Sequence, residues 1–170
     1  MDGDLNVFLA AHVDDLIWCC EEGYEKEVEK ILGCFELKKI EETKFRFCGR
    51  EYEQLDDFSV RVTCKDNTEK ILPINFTKNR RKLNDKATEG EIAQMRSVVG
   101  SLAWIARQVR PELCYHTSKM QSVVGSAHFK HLIASNKILQ HAISTNTRGI
   151  LFKSGLFEWS DKIVATITDA

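Results

Sequence analysis

The chain has 170 residues, of which 43% are hydrophobic, and this is enough apolar sequence to bury a core in one ordinary domain or two small ones. Its formal net charge of -1 excludes a chain-wide field that would attract nucleic acid or anionic lipid, so such contacts would need local patches. No apolar stretch is long enough to span a bilayer and the N-terminus lacks the positive flank of a secretory signal, so we expect no membrane partner and an intracellular location, cytoplasmic or nuclear.

The first predicted element is a hairpin with apolar strands. Apolar residues run from Leu5 to Cys20 with one polar break, His12-Val13-Asp14-Asp15, which predicts two short buried strands joined by a polar turn. Adjacent aspartates at such a tip call for compensation, because buried charge is costly, and Mg²⁺ is a good partner since it prefers carboxylate oxygens. A solvated turn whose aspartates face water is the alternative.

A helix and a second hairpin are predicted next. Apolar residues between Tyr24 and Phe35 recur at three- and four-residue spacing, which indicates an amphipathic helix packed on the first hairpin. From Lys38 to Cys64 the alternation is closer to two, which predicts a second antiparallel hairpin.

A polar connection between residues 77 and 91 is the best candidate for a domain boundary. It contains a cluster of basic residues that could bind nucleic-acid phosphates, and simple solvation of a charged linker is the alternative. The cluster consists of Lys78, Arg80, Arg81 and Lys82.

Three helices and two strands are predicted in the rest of the chain. The first helical stripe runs from Ile92 to Ala106 and is interrupted by Arg110-Pro111, since proline restricts the residue before it and suits the first position of a new helix. Residues 113–124 and 129–143 form the other two helices, and residues 149–152 and 163–167 read as strands. His128 and His131 are spaced to share a helix face, where a structural role is favoured over a metal site because no further ligands accompany them.

Taken in order, several of these segments resemble the copia-type retrotransposon reverse transcriptases. His12-Val13-Asp14-Asp15 resembles the family's aromatic-x-Asp-Asp motif, whose aspartates hold the catalytic metals on the palm hairpin. Phe47-Cys48-Gly49 resembles the Phe-Leu-Gly of the hairpin that grips the primer. The similarity continues beyond these two hairpins and covers nearly the whole chain.

The most specific match lies in the helical region. Met95 to Leu102, followed by Ala106 and Arg110-Pro111-Glu112-Leu113, is similar to the family's Tyr-Arg-x-x-Val-Gly-x-Leu, Ala, Arg-Pro-Asp-Ile signature. At the end of the chain, Thr168-Asp169-Ala170 resembles the opening strand of ribonuclease H, whose first metal-binding carboxylate ends a hydrophobic strand.

The resemblance implies an α+β fold in three parts. Residues 1–76 would form a partial palm with the Asp-Asp hairpin and the second, primer-grip-like hairpin; residues 77–147 a helical thumb and connection region; and residues 148–170 the start of a ribonuclease H-like domain with an incomplete sheet. The implied activity is RNA-directed DNA synthesis on an RNA or DNA template-primer. Asp14 and Asp15 would hold Mg²⁺, with Asp14 the better ligand, Asp169 would belong to ribonuclease H, and His12 would lie beside the nucleotide.

The family also implies that this chain is a fragment. Family members carry a further metal-binding aspartate on a strand upstream of the hairpin, and most of ribonuclease H follows the position of Asp169. We therefore expect the isolated chain to be catalytically incomplete and its other partner to be the remainder of a polyprotein. His12 replaces the usual aromatic residue and offers a smaller stacking face. The alternative is a non-catalytic remnant that binds nucleic acid or another protein.

Overall fold

The computed structural model describes residues 6–37, 39–76 and 82–155, which form a mixed α and β structure with two small sheets. The strands are β1 (Val7–His12), β2 (Asp15–Cys20), β3 (Lys44–Phe47), β4 (Arg50–Gln54), β5 (Val60–Thr63) and β6 (Ile150–Phe152). The helices are α1 (Glu25–Leu32), α2 (Lys65–Glu69), α3 (Glu89–Gln108), α4 (Cys114–Val123) and α5 (Phe129–Ser144). Short 3-10 turns cover Pro111–Leu113 and Val124–Ser126.

The first sheet is the predicted hairpin, formed by β1 and β2. The strands are antiparallel, with His12 opposite Asp15, so that Val13 and Asp14 make a two-residue turn. The prediction that both strands are buried is wrong: their side chains are half-buried or exposed, and Phe8 is 54% exposed. A two-stranded ribbon has two faces and two free edges, and it cannot bury apolar residues on both faces by itself.

The turn of this hairpin contains a backbone conformation that its residue does not favour. Val13 has φ +56°, in the left-handed region where glycine is preferred. Two-residue hairpin turns demand such angles and therefore usually carry Gly, Asn or Asp at this position. A β-branched valine there is strained, and it is also 91% exposed, so no packing of its side chain compensates the strain.

The second sheet contains the predicted second hairpin and extends it to four antiparallel strands in the order β3-β4-β5-β6. Its inner row faces α3 and is apolar, whereas its outer row is charged and includes ion pairs of Glu53 with Lys44 and Arg61. The inner row consists of Phe45, Tyr52, Val62 and Ile150. This alternation is what a sheet with one buried face requires.

The helix α2 was not predicted, and it depends on the sheet. It has only five residues, too few to be stable alone. Its first turn is capped by Glu51 of β4, whose carboxylate accepts the backbone N–H of Lys65 at 2.9 Å and the hydroxyl of Thr63 at 3.2 Å. A carboxylate at a helix N-terminus satisfies free N–H groups and opposes the helix dipole.

The three predicted helices are confirmed and build the main core. Thr88 caps α3 through a capping box with Glu91, and the predicted apolar stripe of α3 is buried. That stripe packs against α4 and α5, where Leu132 and Leu139 are fully enclosed. A smaller cluster joins Ile105 and Val109 to the inner face of the second sheet. Helix α3 therefore connects the sheet to the other helices.

The predicted interruption at Arg110-Pro111 is confirmed, and it positions a buried cation. Pro111 begins a 3-10 turn, and Arg110 is only 1% exposed. Its guanidinium donates to the carbonyl oxygen of Thr145 at 3.1 Å and to the hydroxyl of Thr145 at 2.8 Å, and it forms an ion pair with Glu112. Arg110 thus donates hydrogen bonds to acceptors at the C-terminus of α5, where the helix supplies fewer donors of its own.

The strand that was expected to open the ribonuclease H-like part, β6, pairs with β5 in the second sheet. The division of the chain at residues 76, 147 and 148 stays a prediction. The predicted strand 163–167 and Asp169 lie outside the described residues. In the described ranges no helix combines the length and apolarity needed to cross a membrane.

Candidate functional site

The tip of the first hairpin carries the two aspartates that the sequence singles out. Asp14 is the second residue of the turn and Asp15 is the first residue of β2, opposite His12. All three side chains are exposed. Because cross-strand partners project on the same face of a ribbon, the imidazole of His12 and the carboxylate of Asp15 share one face of the tip.

The tip lies against the turn of the second hairpin. The ring centroids of His12 and Phe47 are 6.2 Å apart with an interplanar angle of 74°, an edge-to-face contact. Phe47 in turn meets Tyr52 edge-to-face at 6.4 Å. Two motifs that the sequence places on separate hairpins are therefore in contact in the structure.

The turn that follows Phe47 is held firmly to the rest of the molecule. Cys48 and Gly49 both have positive φ, at +50° and +75°, as a tight two-residue hairpin turn requires. The carbonyl oxygen of Gly49 accepts a hydrogen bond from Asn67 at 2.7 Å, and a Cβ at Gly49 would lie 3.3 Å from Trp104. The turn thus rests on both α2 and α3.

Asn67 and Trp104 are site-supporting residues that the sequence analysis missed. Asn67 also accepts a hydrogen bond from Arg46 at 2.9 Å, which ties β3 to α2. Trp104 offered one usable signal, a large aromatic side chain within the signature helix but outside its apolar stripe. Asn67 offered none, because its partners come from distant parts of the chain.

A cleft of about 630 Å³ separates the hairpin tip from residues 36–37 and 39–47. Asp14 and Asp15 line it together with Arg46 and Phe47, and the opposite wall brings charges of both signs. Two charges on that wall form an ion pair, since Nζ of Lys39 lies 2.7 Å from Oε1 of Glu41. The cleft can therefore receive a polar ligand beside the carboxylates.

The tip fits part of a magnesium site. Two adjacent carboxylates suit Mg²⁺, which commonly takes one or two protein oxygens and completes its shell with water and substrate phosphates. Within residues 6–37, 39–76 and 82–155, no cluster of three or more His, Cys, Asp or Glu residues that could hold a metal is present.

The remaining predicted site residues are not gathered at this tip by the described structure. Lys78, Arg80, Arg81 and Asp169 lie outside the described residues. Lys82 is exposed, and its backbone N–H donates to the carboxylate of Asp85 at 2.7 Å. Phosphate binding by this basic cluster stays a prediction.

No protein-family model, curated protein or solved structure matches this chain. The family resemblance therefore depends on the residues and motifs of the sequence.

The two carboxylates at the hairpin tip, Asp14 and Asp15, lead to a testable prediction. We expect Asp14→Asn to leave the melting temperature unchanged or raise it, because two exposed carboxylates crowded at one turn repel each other. Magnesium should raise the melting temperature of the wild type only slightly, since two carboxylates without further donors bind it weakly. Thermal melts with and without magnesium measure both effects.

Asp57→Asn is the matched control for this experiment. Asp57 is also exposed, but its carboxylate accepts the backbone N–H and the hydroxyl of Ser59, both at 3.0 Å, and these bonds lower its pKa. Its replacement should lower the melting temperature. A large loss of stability in Asp14→Asn would instead show that Asp14 is a structural hydrogen-bonding residue, and the metal-site interpretation would be abandoned.

Proposed function

We propose that this chain is part of a copia-type reverse transcriptase, comprising the metal-binding hairpin of the palm, the hairpin that contacts the primer, and the helical region that follows. The observation that carries the proposal is the contact between His12 and Phe47. The two residues belong to two separate motifs that resemble those of the family, and a polymerase needs its metal ligands and its primer contact side by side.

The helical signature adds a second line of support. Its apolar positions, from Met95 to Ala106, are the buried stripe of α3, and its Arg-Pro pair supplies the buried cation that holds α5. The residues that resemble the family most specifically are thus residues on which this fold depends.

In the proposed activity, the side chains at the tip have different roles. Asp14 and Asp15 would hold Mg²⁺, which when bound stabilises the charge that develops on the transferred phosphoryl group. His12, kept in place by its edge contact with Phe47, would lie beside the incoming nucleotide. The turn at Cys48 and Gly49, anchored on Asn67, would support the primer end.

The same geometry leads us to propose that the isolated chain does not polymerise. In the described part of the chain, no group of three or more His, Cys, Asp or Glu residues is arranged to hold a metal ion. The family's remaining metal-binding aspartate lies on a strand upstream of the hairpin, so an active site would form only with that strand present.

Primer extension tests the proposal in two steps. The purified chain should extend no primer with magnesium or manganese. When residues 1–147 replace the corresponding segment of an active copia-type reverse transcriptase, we expect templated incorporation that Asp14→Asn reduces by at least about two orders of magnitude, because a metal ligand is lost. Asp56→Asn, which changes an exposed loop carboxylate, is the matched control and should retain activity.

Two outcomes contradict the proposal. Incorporation by the chimera that does not depend on Asp14 would mean that this aspartate is not a metal ligand. A folded chimera that binds template-primer but makes no product, even when His12 is replaced by Tyr, would favour the non-catalytic nucleic-acid-binding alternative.

A further inference from the structure

Two histidines form an unusual cap at the start of α5. His128 is the N-cap residue, with extended backbone angles, and its backbone N–H donates to Nδ1 of His131 at 3.0 Å. The two rings meet edge-to-face with centroids 5.6 Å apart. His131 thus occupies the position three residues into the helix at which a capping box normally has Glu or Gln.

The capped end is also a joint between α5 and the segment 82–88, which leads into α3. The backbone N–H groups of Phe129 and Lys130 donate to the carbonyls of Asp85 and Leu83, at 2.9 and 3.0 Å. The backbone N–H of Ala87 donates to the carbonyl of Ala127 at 3.0 Å. The segment therefore satisfies first-turn donors that α5 cannot satisfy within itself.

The titratable groups around His131 include two lysines and a second histidine. Lys130 and His128 flank it on α5, and Lys86 on the segment 82–88 forms a backbone bridge to His128. The nearby acids belong to other caps: Asp85 accepts the backbone N–H of Lys82, and Glu91 accepts that of Thr88. Lys82, and Lys137 and His141 further along α5, are the other charged or titratable residues of these two elements, and all three are exposed, as is Glu89 at the start of α3.

We propose that the joint between α5 and the segment 82–88 is acid-sensitive, and that protonation of His131 opens it. A neutral imidazole accepts the N-cap hydrogen bond through Nδ1, whereas an imidazolium carries a hydrogen on both nitrogens and can only donate. The new positive charge also lies at the positive end of the dipole of α5, beside Lys130. Both effects act against the capped structure.

The direction of the pH dependence follows from this arrangement. Burial, and then the charges of Lys130 and His128, lower the pKa of His131 in the folded chain. A histidine whose pKa is lowered by folding stabilises the fold fully above its unfolded pKa of about 6.5, and this contribution is lost as pH falls below that value. The joint should therefore be closed at pH 7.5 and weakened near pH 5.5.

His131→Gln is the decisive variant. Glutamine at this position can accept the same N-cap hydrogen bond through its side-chain oxygen and does not titrate. Between pH 7.5 and 5.5 the melting temperature of the wild type should fall by about 2–4 °C more than that of His131→Gln. His141→Gln, at the exposed C-terminal end of α5, is the control and should keep the pH dependence of the wild type.

Hydrogen exchange locates the effect. At pH 5.5 the amides of Ala87, Phe129 and Lys130 should exchange faster in the wild type than in His131→Gln, whereas those in the middle of α3 should not differ. An NMR titration of His131 in the wild type gives an independent measurement. A parallel pH dependence in the wild type and His131→Gln, or an imidazole of His131 that titrates at or above about pH 6.5, would overturn the proposal.

Discussion

Replacing Arg110 with alanine should destabilise the chain by about 3–5 kcal/mol, one of the two largest effects expected of a single substitution in this structure. The guanidinium is buried, and it bonds the hydroxyl and carbonyl oxygens of Thr145 and lies 3.4 Å from the carbonyl oxygen of Ala142. Alanine would remove the guanidinium donor from the carbonyl oxygen of Ala142 and the hydroxyl of Thr145, would leave the carbonyl oxygen of Thr145 with the N–H of Arg148 alone, and would create a cavity. Urea unfolding measures the loss.

Two further variants sharpen this experiment. Arg110→Lys keeps the charge but cannot serve several acceptors from one planar group, so its cost should fall between the wild type and Arg110→Ala. Arg107→Ala removes an exposed arginine from the end of α3 and should change stability by no more than about 0.5 kcal/mol. A cost below about 1 kcal/mol for Arg110→Ala would mean that the bonds to α5 contribute little.

Leu102→Ala should cost about 2–5 kcal/mol, because it opens a cavity in the centre of the main core. Leu102 is completely buried on α3, in the cluster that also holds Leu132 and Leu139. Ser97→Ala, on the exposed side of the same helix, is the control and should stay within about 0.5 kcal/mol of the wild type. Equal losses in the two variants would contradict the arrangement of this core.

Gln94 shows how sequence spacing can mislead. The pattern of α3 predicts an exposed Gln94 that tolerates alanine, and Gln94 is indeed exposed. Its side-chain oxygen nevertheless accepts the backbone N–H of Asn75 at 2.7 Å. Gln94→Ala should therefore cost more than Ser97→Ala, since it removes a partner that spacing within the helix cannot reveal.

The sequence pattern correctly predicted the elements that depend mainly on interactions between residues close together in the chain. The stripe of α3 and the break at Pro111 follow from periodicity and from the geometry of proline, and both are confirmed. The burial of Arg110 was not predicted, because its acceptors come from the end of α5. Likewise, β6 was predicted as a strand, but its pairing with β5 depends on how the helices return the chain to the sheet.

In the candidate site, likewise, features set by neighbouring residues were predicted and contacts between distant segments were not. The position of Asp14 and Asp15 at a hairpin tip could be read from the sequence and is confirmed. The contact of His12 with Phe47 could not, because it depends on how two separate hairpins lie against each other. The burial of β1 and β2 was overestimated for a related reason. An apolar run shows which residues could be buried, but it does not show which other part of the chain would pack on them.

The pairing of β6 with β5 bears on how the chain folds as it leaves the ribosome. The edge of β5 is synthesised well before its partner, and α3, α4 and α5 lie between them in the chain. Helices form from local contacts, whereas joining distant strands first requires a long loop to close. We therefore infer that the helices assemble while β5 still presents an open edge, and that residues 150–152 complete the sheet last.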